Sequence, residues 1–394
     1  MTVAEKVAAS RIVVCVGSGG VGKTTVAAAL GLRAALDGRR AMVLTIDPAR
    51  RLAEALGLEG LAPGGEDISS QRLEEAGLHV RAPLSAGMLD QPSAWDAFIE
   101  RHSPSREVRE TILANPFYQS LSRSFAGSTE YMAMEELGRI NETGDYDLIV
   151  LDTPPSRHAL EFLEAPRRLE DFFDRSVLGW LARPTSAGWS VWKTASRGAR
   201  FVFERIEEAT GLAALTEIGA FFAAIEALVD GVTQRSRTVR ALLHSPTTTF
   251  ILVTGAEEQI LEDAEALARG MQDLHVSLGG VVMNRTLDVA TGALEQESPN
   301  SGQAEDAKSE RNNQRGGFEE IRRCLMEAGV AEPVVEWIET TARSRAMQAG
   351  ARAVRREAFE AGLPADVPVV AIPEQRRDVH DLRGLASIAD ALLG

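Results

Sequence analysis

Cysteine is nearly absent: Cys15 and Cys324 are the two in a chain of 394 residues. A disulfide framework is not expected, and a metal centre needing three or four thiolates from one chain is excluded. Long apolar runs are missing too. The hydrophobic stretches are short, broken by charge and well below the ~20 residues a membrane span requires, so no integral membrane segment is expected. The first residues, MTVAEKVAASR, lack the apolar core of a signal peptide, and a cytoplasmic location is predicted. Basic side chains are in deficit, 42 against 57 acidic ones for a formal net charge of −15, and no basic stripe stands out. That excludes a general role on nucleic acid.

What is there is a chain 44% hydrophobic and 25% charged, enough to bury a sizeable core. Short runs of the buried-strand type recur along it: Arg11–Val16, Ala41–Ile46, Leu148–Leu151, Thr249–Thr254, Gly279–Met283 and Val367–Ile372. Helical stretches separate them, so the expected fold is α/β, a mainly parallel, doubly wound sheet with helices on both faces. Two stretches break this rhythm by showing helical periodicity with almost no strand signal. The predicted division is an α/β domain over residues 1–87, 141–160 and 246–394, with helical lid insertions at 88–140 and 161–245. The second insertion is aromatic, holding Trp180, Trp189, Trp192 and the phenylalanines from Phe162 to Phe222. Residues 288–317 are polar and aperiodic and read as a disordered loop.

Between the first strand and an Ala/Leu-rich helix lies Gly17-Ser18-Gly19-Gly20-Val21-Gly22-Lys23-Thr24, which fits G-x-x-x-x-G-K-[ST]. Glycines let backbone N–H groups turn inward around phosphate, and the helix N-terminus adds positive dipole. On this reading Gly19, Gly20, Val21, Gly22, Lys23, Thr24 and Thr25 hold phosphate, and Thr24 offers a hydroxyl to Mg²⁺. Gly17, Gly19 and Gly22 also satisfy the G-x-G-x-x-G of a dinucleotide fold, with Asp47 as its ribose acid. A dinucleotide site has no use for Lys23-Thr24-Thr25, and it leaves the second strand-end acid, Asp152, unexplained. The phosphate loop is the better reading.

Asp152 ends the run Asp147–Asp152 and stands where a carboxylate holds a water on the metal; a helix cap or plain loop acid is the ordinary alternative. Thr153-Pro154-Pro155 then forces extended backbone, suited to a segment that senses the γ-phosphate. Asp47, at the end of the second strand, is the candidate to orient the attacking water, with Lys23 as its catalytic companion. Asp47 followed by Pro48 would equally cap a helix over Pro48–Leu56, and the two roles are compatible.

GSGGVGKTT, TIDPARRLAEAL and LIVLDTPPSRHALEFLEAP together resemble the phosphate loop, first switch and second switch of the ArsA-type ATPases, over essentially the whole chain outside 288–317. The resemblance implies an enzyme that hydrolyses ATP with Mg²⁺ at a dimer interface and couples nucleotide state to a helical lid. It implies that Asp47 activates water, that Asp152 supports the metal, that Asn284 reads the adenine edge and that Pro373 lies beside the base. The sequence departs from the family pattern in three places. The loop lysine that reaches a partner's phosphates is replaced by Ser18, which leaves a homodimer or a heterodimer with a related lysine-bearing subunit as alternatives. No C-x-x-C zinc clip exists, and two cysteines cannot serve As(III), a soft ion that takes about three sulfurs, so metalloid pumping is disfavoured. In targeting members of the family the region matching 160–245 holds an apolar transmembrane helix; here LEDFFDRSVLGWLARP and GAFFAAIEALVDGV would line that groove for a hydrophobic protein client, or form the lid's own core. Competing readings are a MinD/ParA-like organiser, which wants a basic amphipathic terminus, and a nucleotide-dependent regulator that binds protein partners.

Overall fold

A computed structural model describes residues 1–47, 51–62, 64–116, 128–154, 224–286, 321–375 and 378–393, together with residues 118, 119, 122, 163–165, 167 and 221. Eight strands form one sheet: β1 (Ile12–Val16), β2 (Ala41–Thr45), β3 (Glu66–Asp67), β4 (Leu84–Met88), β5 (Leu148–Asp152), β6 (Thr248–Thr254), β7 (Leu278–Thr286) and β8 (Val369–Pro373). Their spatial order is β3-β4-β2-β5-β1-β6-β7-β8. Every pairing is parallel except that of the two-residue edge strand β3 with β4. The expected doubly wound, mainly parallel sheet is therefore present.

The central strands are buried at every position because both faces are covered. Alternate residues serve opposite layers. Ile12, Val14, Val16, Leu44, Leu151 and Leu252 join one apolar cluster with α5 (Gln91–His102), α7 (Ser128–Thr143), α8 (Val229–Leu243) and α9 (Glu258–Asp273). Val13, Cys15, Val43, Val150 and Val253 join the other, with α1 (Val3–Ala9), α2 (Lys23–Leu36) and α11 (Leu382–Leu393). Shorter helices are α3 (Arg51–Ala55), α4 (Ser70–Glu75) and α6 (Arg106–Leu113), and a long one, α10 (Glu332–Gly362), precedes β8.

The helices of segment 88–140 thus roof the sheet directly. A buried charge network ties them together: Glu135 of α7 accepts from Arg101 of α5 at 2.8 Å and from Arg235 of α8 at 2.7 Å. Such a network costs desolvation, and removing one partner alone leaves an unpaired buried charge worth several kcal/mol. Of segment 161–245, α8 is the described helix; the aromatic run with Trp180, Trp189 and Trp192 lies outside the described residues, as does 288–317.

Four elements differ from the sequence reading, the first being the two-residue edge strand β3, which carries no strand signal. β4 has the sequence Leu-Ser-Ala-Gly-Met, without a β-branched residue, because its middle must be small. A Cβ on Gly87 would stand 2.7 Å from the Cα of Gly65 and 2.9 Å from the Met42 methyl carbon. β7 continues beyond Met283 to Thr286, taking Asn284 and Arg285 into the strand. Helix α1 was not expected, yet Thr2 and Glu5 form a reciprocal capping box at its start.

Candidate functional site

The sheet order sets β2, β5 and β1 side by side, so three chain turns meet at their carboxyl ends. Register places Asp152 opposite Cys15 on one side and Thr45 on the other. The loop after β1, Asp47 after β2 and Asp152 closing β5 are thereby neighbours, although Asp152 lies more than a hundred residues from the other two in sequence. This is the carboxyl edge at which ligands bind in open parallel sheets.

The loop departs from β1 through Gly17 and turns through Gly20 and Gly22, with φ of 79° and 95° at the last two, in the left-handed region that favours glycine. Gly22 caps α2, and Lys23 to Thr25 form its first turn. The space around the loop is closed from outside it. A Cβ on Gly17 would meet the Val253 carbonyl oxygen at 2.0 Å, and one on Gly22 would meet the Asn284 amide nitrogen at 2.2 Å. Ser18 donates to Asp263 of α9 at 3.0 Å.

Lys23 is buried, and its Nζ donates back to the carbonyls of Gly17 (3.0 Å) and Ser18 (2.8 Å). Burial lowers its pKa from the ordinary lysine value, while Asp152, Cys15 and Asp47 act in the opposite direction. Asp152 is 0% exposed. Thr24 and Thr45 both donate to its Oδ2, at 2.8 and 2.9 Å. Its Oδ1 is buried and has no hydrogen-bond partner among the described residues. Desolvation pushes the carboxyl up to about 6, against the two hydroxyls and Lys23. A buried carboxylate oxygen left without a partner is expensive, which indicates a cationic or hydrated ligand at that point. Thr24 and Asp152 therefore have the geometry and chemistry to hold Mg²⁺ through oxygen donors.

The capping role expected of Asp47 falls on residues 48–50, which lie outside the described residues. Its backbone N–H donates to the Thr45 hydroxyl at 3.2 Å, and its carboxylate lies 3.7 Å from the Arg51 guanidinium. A cavity of about 350 Å³ gathers Gly20, Gly22, Lys23, Thr24, Thr25 and Asp47 together with Arg51, Glu54, Thr153, Arg285 and His380. Asn284 lies immediately behind the loop. Its amide donates to the Val21 carbonyl at 2.9 Å and accepts from the Arg285 N–H at 3.0 Å. Pro373 ends the edge strand β8, paired with Thr286, and does not line this cavity. Of the second switch, Thr153 is described: its hydroxyl donates to the Cys15 carbonyl at 2.7 Å, pinning β5 to the root of the loop.

Sequence reasoning missed Thr45, Arg51 and Arg285. Thr45 opens the quoted TIDPARRLAEAL segment, and its alternation with Asp47 was the available signal. Arg51 stood inside the quoted TIDPARRLAEAL segment. Arg285 follows Asn284 and adopts φ 55°, an uncommon conformation for a non-glycine residue, at the cavity wall.

Comparison with known proteins gives a consistent result. A family model described as anion-transporting ATPase matches residues 10–332. The protein named ATPase GET3 from Malassezia globosa is 27% identical over 274 residues, 69% of this chain and 72% of that protein. ATPase ASNA1 homolog 1 from Paramecium tetraurelia is 24% identical over 276 residues, 69% of this chain and 73% of that protein. ATPase get3 from Aspergillus terreus is 29% identical over 161 residues, 39% of this chain and 42% of that protein.

Proposed function

The chain belongs to the anion-transporting, ArsA-type ATPase family, and from that premise we propose that it hydrolyses ATP to ADP and phosphate in the cavity above β1, β5 and β2. The observation that carries this assignment is the buried Asp152 carboxylate, with two hydroxyls on one oxygen and no partner among the described residues on the other, beside the loop and Lys23. Mg²⁺ bound there would neutralise charge developing on the transferred phosphoryl group. Lys23 exchanges its two loop carbonyls for phosphate oxygens, and the loop N–H groups and α2 dipole hold the rest. Asp47 orients the attacking water, with Arg51 beside it as a further cation. Asn284 keeps one N–H and one lone pair beyond its contacts with Val21 and Arg285, which matches the paired donor and acceptor of an adenine edge. Pro373 is assigned to the neighbourhood of the base on the family resemblance alone.

The proposal extends to a cytoplasmic, two-chain assembly in which nucleotide state moves the helical layer and a hydrophobic protein client binds it. Its support is the sequence resemblance and the aromatic content of 161–245. A second reading, a regulator that binds partners without rapid turnover, has one observation in its favour. Loop position 18 is a serine committed to Asp263, so this chain supplies no cation from there.

The test is Mg²⁺-dependent ATP turnover by the purified chain, with Lys23→Ala as control. Turnover that falls at least about 100-fold in the variant supports the assignment. ATP binding without turnover favours the regulatory reading or a missing lysine-bearing subunit, and absence of nucleotide binding overturns both.

A further inference from the structure

The cavity holds more basic side chains than the phosphate loop supplies. Beyond Lys23 it is lined by Arg51, Arg285 and His380. The sheet order separates the three. Arg285 lies near the end of β7 and His380 follows β8, two and three strands from β1, at the end where Asn284 stands. Arg51 follows β2, which pairs with β5 on the other side, so it belongs to the end that holds Asp47 and Asp152. Its guanidinium lies 3.7 Å from the Asp47 carboxylate. The pKa of Lys23, lowered mainly by burial, is lowered further by the Arg51 charge, so the two cations face a common space. Little else holds Arg51: its side chain is 58% exposed, and Asp47 is its one ion-pair partner among the described residues. A pair with one member so exposed is weak. A terminal phosphate, with more charge and several oxygens for a planar fork of donors, outcompetes it. Loop position 18 offers no such cation, since Ser18 is neutral and its hydroxyl is committed to Asp263.

We propose that Arg51 is a catalytic residue, whose guanidinium leaves Asp47 for the γ-phosphoryl oxygens of ATP bound to the same chain and supplies the positive charge that Ser18 does not. The inference rests on the ATPase reading and deepens it by naming this cation. In the reaction the water oxygen bonds to the γ-phosphorus as the bond from phosphorus to the β–γ bridging oxygen breaks. That electron pair stays on ADP, and the water gives one proton to a phosphate oxygen. Charge develops on the bridging and γ-oxygens in the transition state, and a guanidinium already in place offsets it. Its departure also frees Asp47 to orient the water. Turnover on this reading needs no lysine-bearing subunit, because the cation comes from the chain that binds the nucleotide.

The experiment uses the full chain with no other subunit present, as wild type, Arg51→Ala and Arg51→Lys. It measures kcat, equilibrium binding of ATP, and binding of ADP with aluminium fluoride, a mimic of the phosphoryl group in transfer. The wild type is expected to turn over. Arg51→Ala should lower kcat at least about 100-fold and weaken the mimic by a similar factor, while ATP affinity stays within about threefold and reports an intact fold. Arg51→Lys should recover part of kcat, since it returns the charge without the planar fork. Guanidinium chloride at millimolar concentration should restore part of the turnover of Arg51→Ala, which a purely structural role would not allow. An Arg51→Ala chain with wild-type kcat overturns the proposal. So does one that loses ATP affinity as much as kcat, which makes Arg51 a binding residue. A wild type that binds ATP but turns over only with a lysine-bearing subunit overturns it too, and leaves the nucleotide site standing. A chain that binds no ATP overturns both this proposal and the ATPase reading beneath it.

Discussion

Asp152 offers a measurement in which the cost of building the site appears as a pH dependence. Its carboxyl is pushed up to about 6 from an ordinary 3.8, chiefly by burial. The unfolded chain ionises this group at lower pH than the folded chain does. Below pH 3.8 both forms are protonated and the group has no effect on stability. Above pH 6 both are ionised, and the folded state is less stable by about 3 kcal/mol, at 1.36 kcal/mol per pH unit of difference. About half of that is already present at pH 5, so raising the pH from 5 to 8 costs the ligand-free protein about 1.5 kcal/mol through this one group. Asp152→Asn removes the titration but keeps an oxygen for Thr24 and Thr45. Whatever its amide costs is independent of pH and cancels when the two pH values are compared. The variant should therefore gain on the wild type by about 2 °C in Tm between pH 5 and pH 8, from about 2.1 cal/mol/K of unfolding entropy per residue. The assay is a pair of thermal melts at each pH, in chelator and without nucleotide. Parallel curves, or a wild type that gains on the variant as pH rises, would refute the claim that the empty site holds an uncompensated carboxylate. The other acidic residues do not confuse the result, since both proteins carry them.

Two further outcomes follow from the same geometry. Asp47→Asn is expected to lower kcat at least about 100-fold while ATP affinity stays within about threefold, measured by turnover and equilibrium binding; equal loss in both would make Asp47 a binding residue instead of one that orients water. Asn284→Ala removes the hydrogen bond to Val21 from behind the loop and should cost about 1–3 kcal/mol in urea unfolding, with a fall in the preference for ATP over GTP. A loss of stability with the base preference intact would leave Asn284 as a support for the loop alone.

The strands were legible where the chain is buried on both sides, because runs such as Ile12–Val16 and Leu148–Asp152 must be apolar at every position. β4 was not legible, since its sequence answers to a close approach by Gly65 that no local window contains. The phosphate loop, Asp47 and Asp152 could be named from sequence because their residue types and their places after strands are local properties. What could not be read is which distant side chains fix them. Thr45 shares Asp152 with Thr24 only because β2 pairs with β5, and Asn284 reaches Val21 only because β7 carries it behind the loop. The capping box of α1 is a local signal, Thr2 followed three residues later by Glu5, and was readable in the sequence.

The loop and helix α10 stand on a common support, and magnitudes decide what joins them. Helix α9 meets the loop at Asp263 and meets α10 near its own start. The two ion pairs there, Arg352 with Glu257 and Arg355 with Glu258, are partly to largely exposed, and pairs of that kind contribute about 0.2–1 kcal/mol each. Apolar packing is the larger contribution: Phe359 of α10 is buried in the same cluster as Leu261, Ala264 and Met271 of α9, and a buried Phe is worth roughly 1.5–3 kcal/mol. If phosphate draws Lys23 off the Ser18 carbonyl and shifts position 18, the shift reaches α10 through the packing of α9 more than through its salt bridges. Nucleotide-dependent hydrogen-exchange protection along α10 should then survive high salt, which screens the exposed pairs, and weaken when Phe359 is cut back to leucine.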